Sequence, residues 1–280
     1  MKYFPLLAAI AAAIFASWAF APTSTSSSTV ETTFQRVLRT GQLRCGYYMF
    51  KPMTWKDPAT GEMKGMAVDF AHELEIRSGI KLVWAEEAGF GTIFEGLKTK
   101  RYDAICTPAW PDGRMARAVD FGRTWFFSAI IPVVKESETR LTSVTQLNSP
   151  DVTITSHEGD ADEVLAKTMF PKAKQLPIPP SADTGMVEMN LFTGKADVVL
   201  TDVNRIYQVN PNSSQKLKAL STEPLQLFPL QIAVNKGDEQ LNAFLNTNVE
   251  AMLNDGTMER ILKTHEPGPN AYLRVAKPYQ

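Results

Sequence analysis

The sequence predicts an α/β fold made of two open sheets with helices on both faces. Three observations carry this. Short apolar runs of strand length alternate with stretches whose apolar residues recur at helical spacing, as in parallel sheets covered by helices. The same rhythm occurs twice. The chain, with 280 residues of which 44% are hydrophobic and 21% charged, is long enough for two lobes of ordinary size.

In the first half, Leu43 to Tyr47 reads as a strand and Met66 to Arg77 (MAVDFAHELEIR) as a helix. Lys81 to Glu86 is a second strand, Thr92 to Lys98 a short helix, Ala104 to Cys106 a third strand and Ile130 to Val134 an extended run. The second half begins with a strand at Val152 to Thr155, which leads through Gly159 into a helix from Ala161 to Thr168. Pro171 to Pro180 reads as a surface connection, Gly185 to Phe192 as a helix and Asp197 to Leu200 as a strand. Val203 to Tyr207 forms a short helix and Leu230 to Val234 an extended return. Helices over Glu239 to Leu253 and Thr257 to Lys263 flank the stop Asn254-Asp255-Gly256, and the tail after Glu266 reads as irregular.

Before these elements, Met1 to Ala21 has an early lysine, a long apolar run and small residues at its end, the pattern of an export signal. Its run is nearly long enough to span a bilayer, so an uncleaved N-terminal anchor stays open beside a cleaved signal. Thr23 to Thr29 (TSTSSST) is a flexible linker by composition, and residues 1–29 are excluded from the fold. The body is expected outside the cytoplasm. Lys and Arg total 29 against 30 Asp and Glu, so the broad positive field that nonspecific nucleic-acid binding uses is absent. Cys45 and Cys106 are the only cysteines, and an oxidising compartment allows a disulfide between them, the alternative being two buried unlinked thiols. No His or third Cys stands beside either in a metal-binding spacing, and neither a metal nor a cofactor is expected. Open α/β sheets place ligands in the crevice beyond the carboxyl ends of their strands, which directs attention to the loops just after strands.

In those loops the chain resembles the bacterial extracellular solute-binding proteins of family 3. The resemblance runs from Val37 to Glu266 through LRCGYYMFKPMTW, GEMKGMAVDFAHEL, the run from Gly91 to KRYDAIC, RAVDFGRTWFF, GKADVVLTD and QIAVNKGDEQL followed by NDGTMERIL, in family order. It implies a periplasmic-binding-protein-like fold of type II, with a first lobe over residues 30–128 and 227–280, a second over 129–226, and a two-crossover hinge near Trp125 to Ala129 and Gln226 to Leu230. It implies an exported, monomeric binder of a small amine-bearing solute, such as an amino acid or a related compound. That binder hands the solute to an inner-membrane ABC transporter permease and catalyses nothing. Nucleic acid is not a partner, and membrane contact is limited to an uncleaved N-terminal segment.

The resemblance also assigns positions. Phe50 and Phe90 match aromatic walls of the ligand site and Tyr47 a polar ligand contact, whereas Trp55 and Trp84 read as packing residues. In the loop TPAWPDGRMAR the family's usual Arg position holds Met115, so Arg114, one residue earlier, is the expected anion clamp, with Arg117 the other candidate. Pro108 and Trp110 stand where the family presents a carbonyl and a Thr. In the second lobe, His157, Asp160 and Ala161 match the turn at a helix N-terminus, and Asp160 replaces the family's Thr. Either Asp160 or Asp162 can serve as the helix N-cap, and an Asp160 facing the cleft would favour a cation. Asp202 matches the family's partner for a ligand ammonium; an N-cap role is its alternative. Two other readings stay open: a cyclohexadienyl-dehydratase-like enzyme on the same fold, and a ligand-sensing partner of a membrane receptor.

Overall fold

The computed structural model describes residues 30–89, 92–111, 113, 115–183, 185–268 and 271–275. The N-terminal segment, Phe90 and Arg114 lie outside them. The elements below all belong to one unit, Thr32–Gln280.

Thr33–Thr40 forms α1, which the sequence reading did not anticipate; a reciprocal pair of hydrogen bonds between Thr32 and Gln35 caps its start and Gly41, at φ 65°, its end. β1 (Gln42–Tyr47) then pairs in parallel with β4 (Lys81–Glu87) on one side and β5 (Ala104–Ala109) on the other. Between β1 and β4 lie a small hairpin, β2 (Trp55–Lys56) with β3 (Met63–Lys64), and α2 (Met66–Ser78). Met66, Ala67, Phe70, Ala71 and Leu74 are the buried residues of α2, at the spacing that marks one face, and Gly79 at φ 71° ends it. The short α3 (Ile93–Lys98) connects β4 to β5. Tyr102 fixes this corner, because its ring lies where a Cβ on either Gly46 or Gly96 would stand, at 2.3 Å and 2.2 Å. Neither glycine tolerates a side chain there.

Beyond β6 (Val119–Phe121) runs β7 (Phe126–Lys135), ten residues long. Its partner is the equally long β12 (Gln226–Asn235), and the two pair antiparallel from Phe126 to Ile130 against Leu230 to Gln226. The far end of β12 pairs with β5, while the far end of β7 pairs with β10 (Val198–Asp202). One continuous sheet path results, β4-β1-β5-β12-β7-β10-β8-β9, in which β8 is Thr153–His157 and β9 is Lys174–Ile178. β11 (Leu217–Ala219) and β13 (Leu273–Arg274) add to β7.

β9 corrects the expectation of a plain surface connection over Pro171 to Pro180. It pairs in parallel with β8 over five residues and contains Pro177, which an edge strand accommodates because one row of its N–H groups needs no partner. β13 likewise gives order to part of a tail expected to be irregular.

The helices α4 (Ala161–Met169), α5 (Gly185–Phe192), α6 (Asn204–Val209), α7 (Glu239–Asn254) and α8 (Thr257–His265) complete the fold. Apolar clusters cover both faces of each half of the sheet. Around β1 and β5 they centre on Leu43, Phe70, Trp125 and Leu245 and on Ile93, Tyr102 and Ile105. Around β8 and β10 they centre on Ile154, Leu165 and Leu200 and on Val133, Leu191 and Val199. Each half therefore has its own buried core, and β7 and β12 run through both.

Candidate functional site

The two halves face each other across one cavity enclosing about 790 Å³, part of it open to solvent. The first half contributes the segment after β1 (Tyr48 and Phe50), the start of α3 (Ile93 and Phe94), the end of β5 (Pro108, Ala109 and Trp110) and Met115. The second half contributes the turn from β8 into α4 (His157, Gly159, Asp160 and Asp162), Val187, two β10 residues (Val199 and Thr201) and Arg205 of α6.

The first wall is rigid and aromatic. The buried Tyr48 hydroxyl donates to the Pro108 carbonyl at 2.8 Å, and its backbone carbonyl accepts from Thr107 Oγ1 at 3.2 Å. Trp110 stacks on Phe228 of β12 with ring centroids 5.3 Å apart and planes 13° apart. Behind this wall Cys45 of β1 and Cys106 of β5 are joined by a disulfide. Neighbouring parallel strands bring the two sulfurs within reach, since Cys45 lies opposite Ala104.

The second wall carries the charge. β8 delivers His157 to the cavity, Gly159 turns the chain at φ 86°, and Asp160 starts α4. Three N–H groups of this turn are taken by its own carboxylates: Ala161 N donates to Asp160 Oδ1 at 2.7 Å, Gly159 N to Glu163 Oε2 at 3.0 Å, and Glu163 N to Asp162 Oδ1 at 2.8 Å. Burial, reinforced by the nearby Asp160 charge, pushes the Asp162 carboxyl well above the usual carboxylate range. Burial first, and the Arg205 charge second, push His157 below its ordinary value, which favours the neutral imidazole. Arg205 is itself ion-paired with the buried Glu188, to whose Oε1 its Nε donates at 2.7 Å and its Nη2 approaches at 2.5 Å.

Residues 43–266 match the family model described as bacterial extracellular solute-binding proteins, family 3. The chain belongs to this family.

The relatives of this solute-binding protein agree on the fold. The ABC transporter glutamine-binding protein GlnH of Bacillus subtilis (strain 168) is 24% identical over 210 residues, 74% of each chain. The crystal structure of an ancestral amino acid-binding protein, AncCDT-1, described as a precursor of cyclohexadienyl dehydratase, superposes with a TM-score of 0.73 at 24% identity, covering 84% of this chain and 99% of that one. The substrate-binding protein AbpA of a Streptococcus pneumoniae amino acid ABC transporter, bound to L-arginine, gives 0.71 at 15% identity over 82% and 97%.

The structure brings Phe50, Pro108, Trp110, His157 and Asp160 together on the cavity wall. Three other expected contacts lie off its lining. Tyr47 is buried and packs edge-on against Trp84 with ring centroids 5.6 Å apart, so the neighbouring Tyr48 takes the wall position. Ala161 packs into the core of the second half. Asp202 is buried and accepts from Asn204 N at 2.9 Å, bracing the entry to α6, while its strand neighbour Thr201 faces the cavity. Phe90 and Arg114 lie outside the described residues. Phe94, Thr201 and Arg205 line the cavity although the sequence reading gave them no role. Among the described residues no cluster of His, Cys, Asp and Glu could hold a metal ion, and no helix is long and apolar enough to cross a membrane.

Proposed function

We propose that this protein captures a small amine-bearing solute, an amino acid or a related compound, between two lobes and passes it to an inner-membrane ABC transporter permease. The lobes in this reading are residues 30–128 with 227–280, and 129–226. The stretch where β7 and β12 pair is the hinge, a pair of extended segments suited to absorbing rotation. One observation carries the reading: a single cavity drawing Tyr48, Phe50 and Trp110 from one half and His157, Asp160 and Arg205 from the other. A ligand touching both walls favours the closed arrangement over the open one by its differential affinity for it. The protein works as a monomer on the outer side of the inner membrane, and it binds without turning its solute over.

The test is a thermal-shift screen of purified protein lacking residues 1–29 against amino acids, polyamines and related amines. Stabilisation by one class supports the reading, because a ligand bound only by the folded state raises its stability by mass action. No shift with any of them removes the amine class. The same preparation, incubated with prephenate or arogenate, tests catalysis: product formation would make the protein a dehydratase.

A further inference from the structure

Thr107 of β5 stands directly behind the aromatic wall without lining the cavity. It is 0% exposed, in the largely apolar strand Ala104–Ala109, where a valine would fill the same space and suit a strand equally well. A hydroxyl at such a place needs partners. Its oxygen accepts from Tyr48 N at 3.4 Å, and its hydrogen is shared between the Tyr48 carbonyl at 3.2 Å and Thr54 Oγ1 at 2.8 Å. Each partner leads to a wall residue. Tyr48 lines the cavity itself and donates its hydroxyl to the carbonyl of Pro108, the residue after Thr107, at 2.8 Å. Thr54, also fully buried, closes the turn that presents Phe50: Thr54 N donates to the Phe50 carbonyl at 3.0 Å and Phe50 N to the Thr54 carbonyl at 2.9 Å. On the other side of Thr107 in the chain, the disulfide of Cys106 fixes β5 to β1. One buried hydroxyl thus joins the segment after β1 to the end of β5, the two stretches that supply Tyr48, Phe50, Pro108 and Trp110 to the cavity.

Resting on the reading of this cavity as the solute site, we propose that Thr107 is a positioning residue for the solute: its hydroxyl, touching no solute, sets the placement of Tyr48 and Phe50 against Pro108 and so the affinity of the site. Groups that hold the contacting side chains in place govern binding as the contacts themselves do, because a wall displaced by about 1 Å no longer fits its guest. Thr107→Val keeps the volume and removes the hydroxyl, whereas Thr107→Ser keeps the hydroxyl and removes a buried methyl group. A role in packing alone makes Ser the worse substitution; a role in positioning makes it Val.

Calorimetric titration of the purified protein and both variants with L-arginine, L-lysine, L-glutamine and agmatine tests this, beside crystal structures of the two variants. Thr107→Val is expected to weaken whichever of the four binds the native protein by about tenfold, the loss typical of removing such a support, and Thr107→Ser to stay within about threefold. The Tyr48 ring is expected to be displaced in Thr107→Val and to keep its native place in Thr107→Ser. Should Thr107→Val fail to fold, Thr54→Val, which removes a partner of the same hydroxyl, is expected to give the same loss. Native affinity in either valine variant, or a greater loss in Thr107→Ser, overturns the proposal and leaves the solute-binding reading intact. No heat from any of the four with the native protein counts against the amine-bearing solute, and the place of the Tyr48 ring in Thr107→Val then decides the positioning role by itself: a displaced ring supports it and an unmoved ring overturns it.

Discussion

Gln208 of α6 donates its Nε2 to the backbone carbonyl of Lys51 at 3.0 Å, joining the two halves of the fold across the rim of the cavity. The same Gln208 accepts from Arg205 Nη1 at 3.2 Å, and Arg205 lines the cavity. A chain of contacts therefore runs from Glu188 through Arg205 and Gln208 to the opposite half. Gln208→Ala removes this link between the halves and leaves both cores untouched. An exposed neutral hydrogen bond contributes about 0.5 kcal/mol at the low end of the measured range, so the ratio of open to closed molecules is expected to rise about twofold. Solution scattering of the ligand-free protein checks this through a larger mean radius of gyration at an unchanged melting temperature. An identical scattering profile would show that Gln208 has no part in holding the halves together.

Asp103 ties β1 to β5 at the end of the strands remote from the cavity. Its buried carboxylate accepts from Arg44 N at 2.7 Å and Arg44 Nη2 at 2.8 Å, and it pairs with Arg36 of α1. Asp103→Asn breaks these ion pairs and leaves two guanidinium groups without their counter-charge. Both arginines are partly exposed, so the loss falls below that of a fully buried pair, at about 2–3 kcal/mol. Urea denaturation reads this directly; a change under about 0.5 kcal/mol would place the cluster among ordinary surface pairs.

The disulfide closes a loop with a sequence separation of 61 between Cys45 and Cys106. For a loop of that length the chain-entropy model gives about 4 kcal/mol of stabilisation. The double variant Cys45→Ala with Cys106→Ala is expected to melt well below the native protein, and dithiothreitol added during refolding is expected to lower the native protein to the same level. A melting temperature insensitive to both would mean that the unfolded chain gains nothing from being released.

How much of this was legible beforehand depended on how local the signal was. The helix predicted over Met66 to Arg77 is observed as Met66–Ser78, because its apolar spacing and the glycine after it are both local features. α1 escaped notice because it is eight residues long with Val37 as its buried residue, and β9 because a proline argues against a strand until its edge position is known. Site residues depended on register. Pairing of β1 with β4 shifts between Cys45 and Gly46, so alternation along β1 does not reveal whether Tyr47 or Tyr48 reaches the cavity. On β10 a single step decides between Thr201 and Asp202 in the same way, and that step is set by pairing with β7, where Asp202 lies opposite Ile130. Arg205 was invisible as a wall residue because Glu188, which orients it, comes from another helix.

Asp162 links the cavity to pH. Burial foremost, and Asp160 next, raise its carboxyl well above the ordinary 3.8. Among the described residues, Asp160 and Glu163 on its own turn act on its charge, Glu163 being paired with Lys167, and His157, Arg205 and Tyr48 line the same cavity. Between 3.8 and the raised value the unfolded chain has lost this proton while the folded protein keeps it. Folding takes up a proton there, so the contribution is complete below 3.8 and is lost as pH rises through the folded value. His157 works in the opposite direction, since its folded value is depressed: its contribution is present above the ordinary 6.5 and is lost as pH falls through the folded value. Asp162→Asn is expected to flatten the acid-side fall of stability with rising pH, and His157→Gln to alter only the slope nearer neutrality. Urea denaturation at half-unit steps from pH 4 to pH 8 separates the two. An Asp162→Asn curve parallel to that of the native protein throughout would show that the carboxyl titrates alike in folded and unfolded chains.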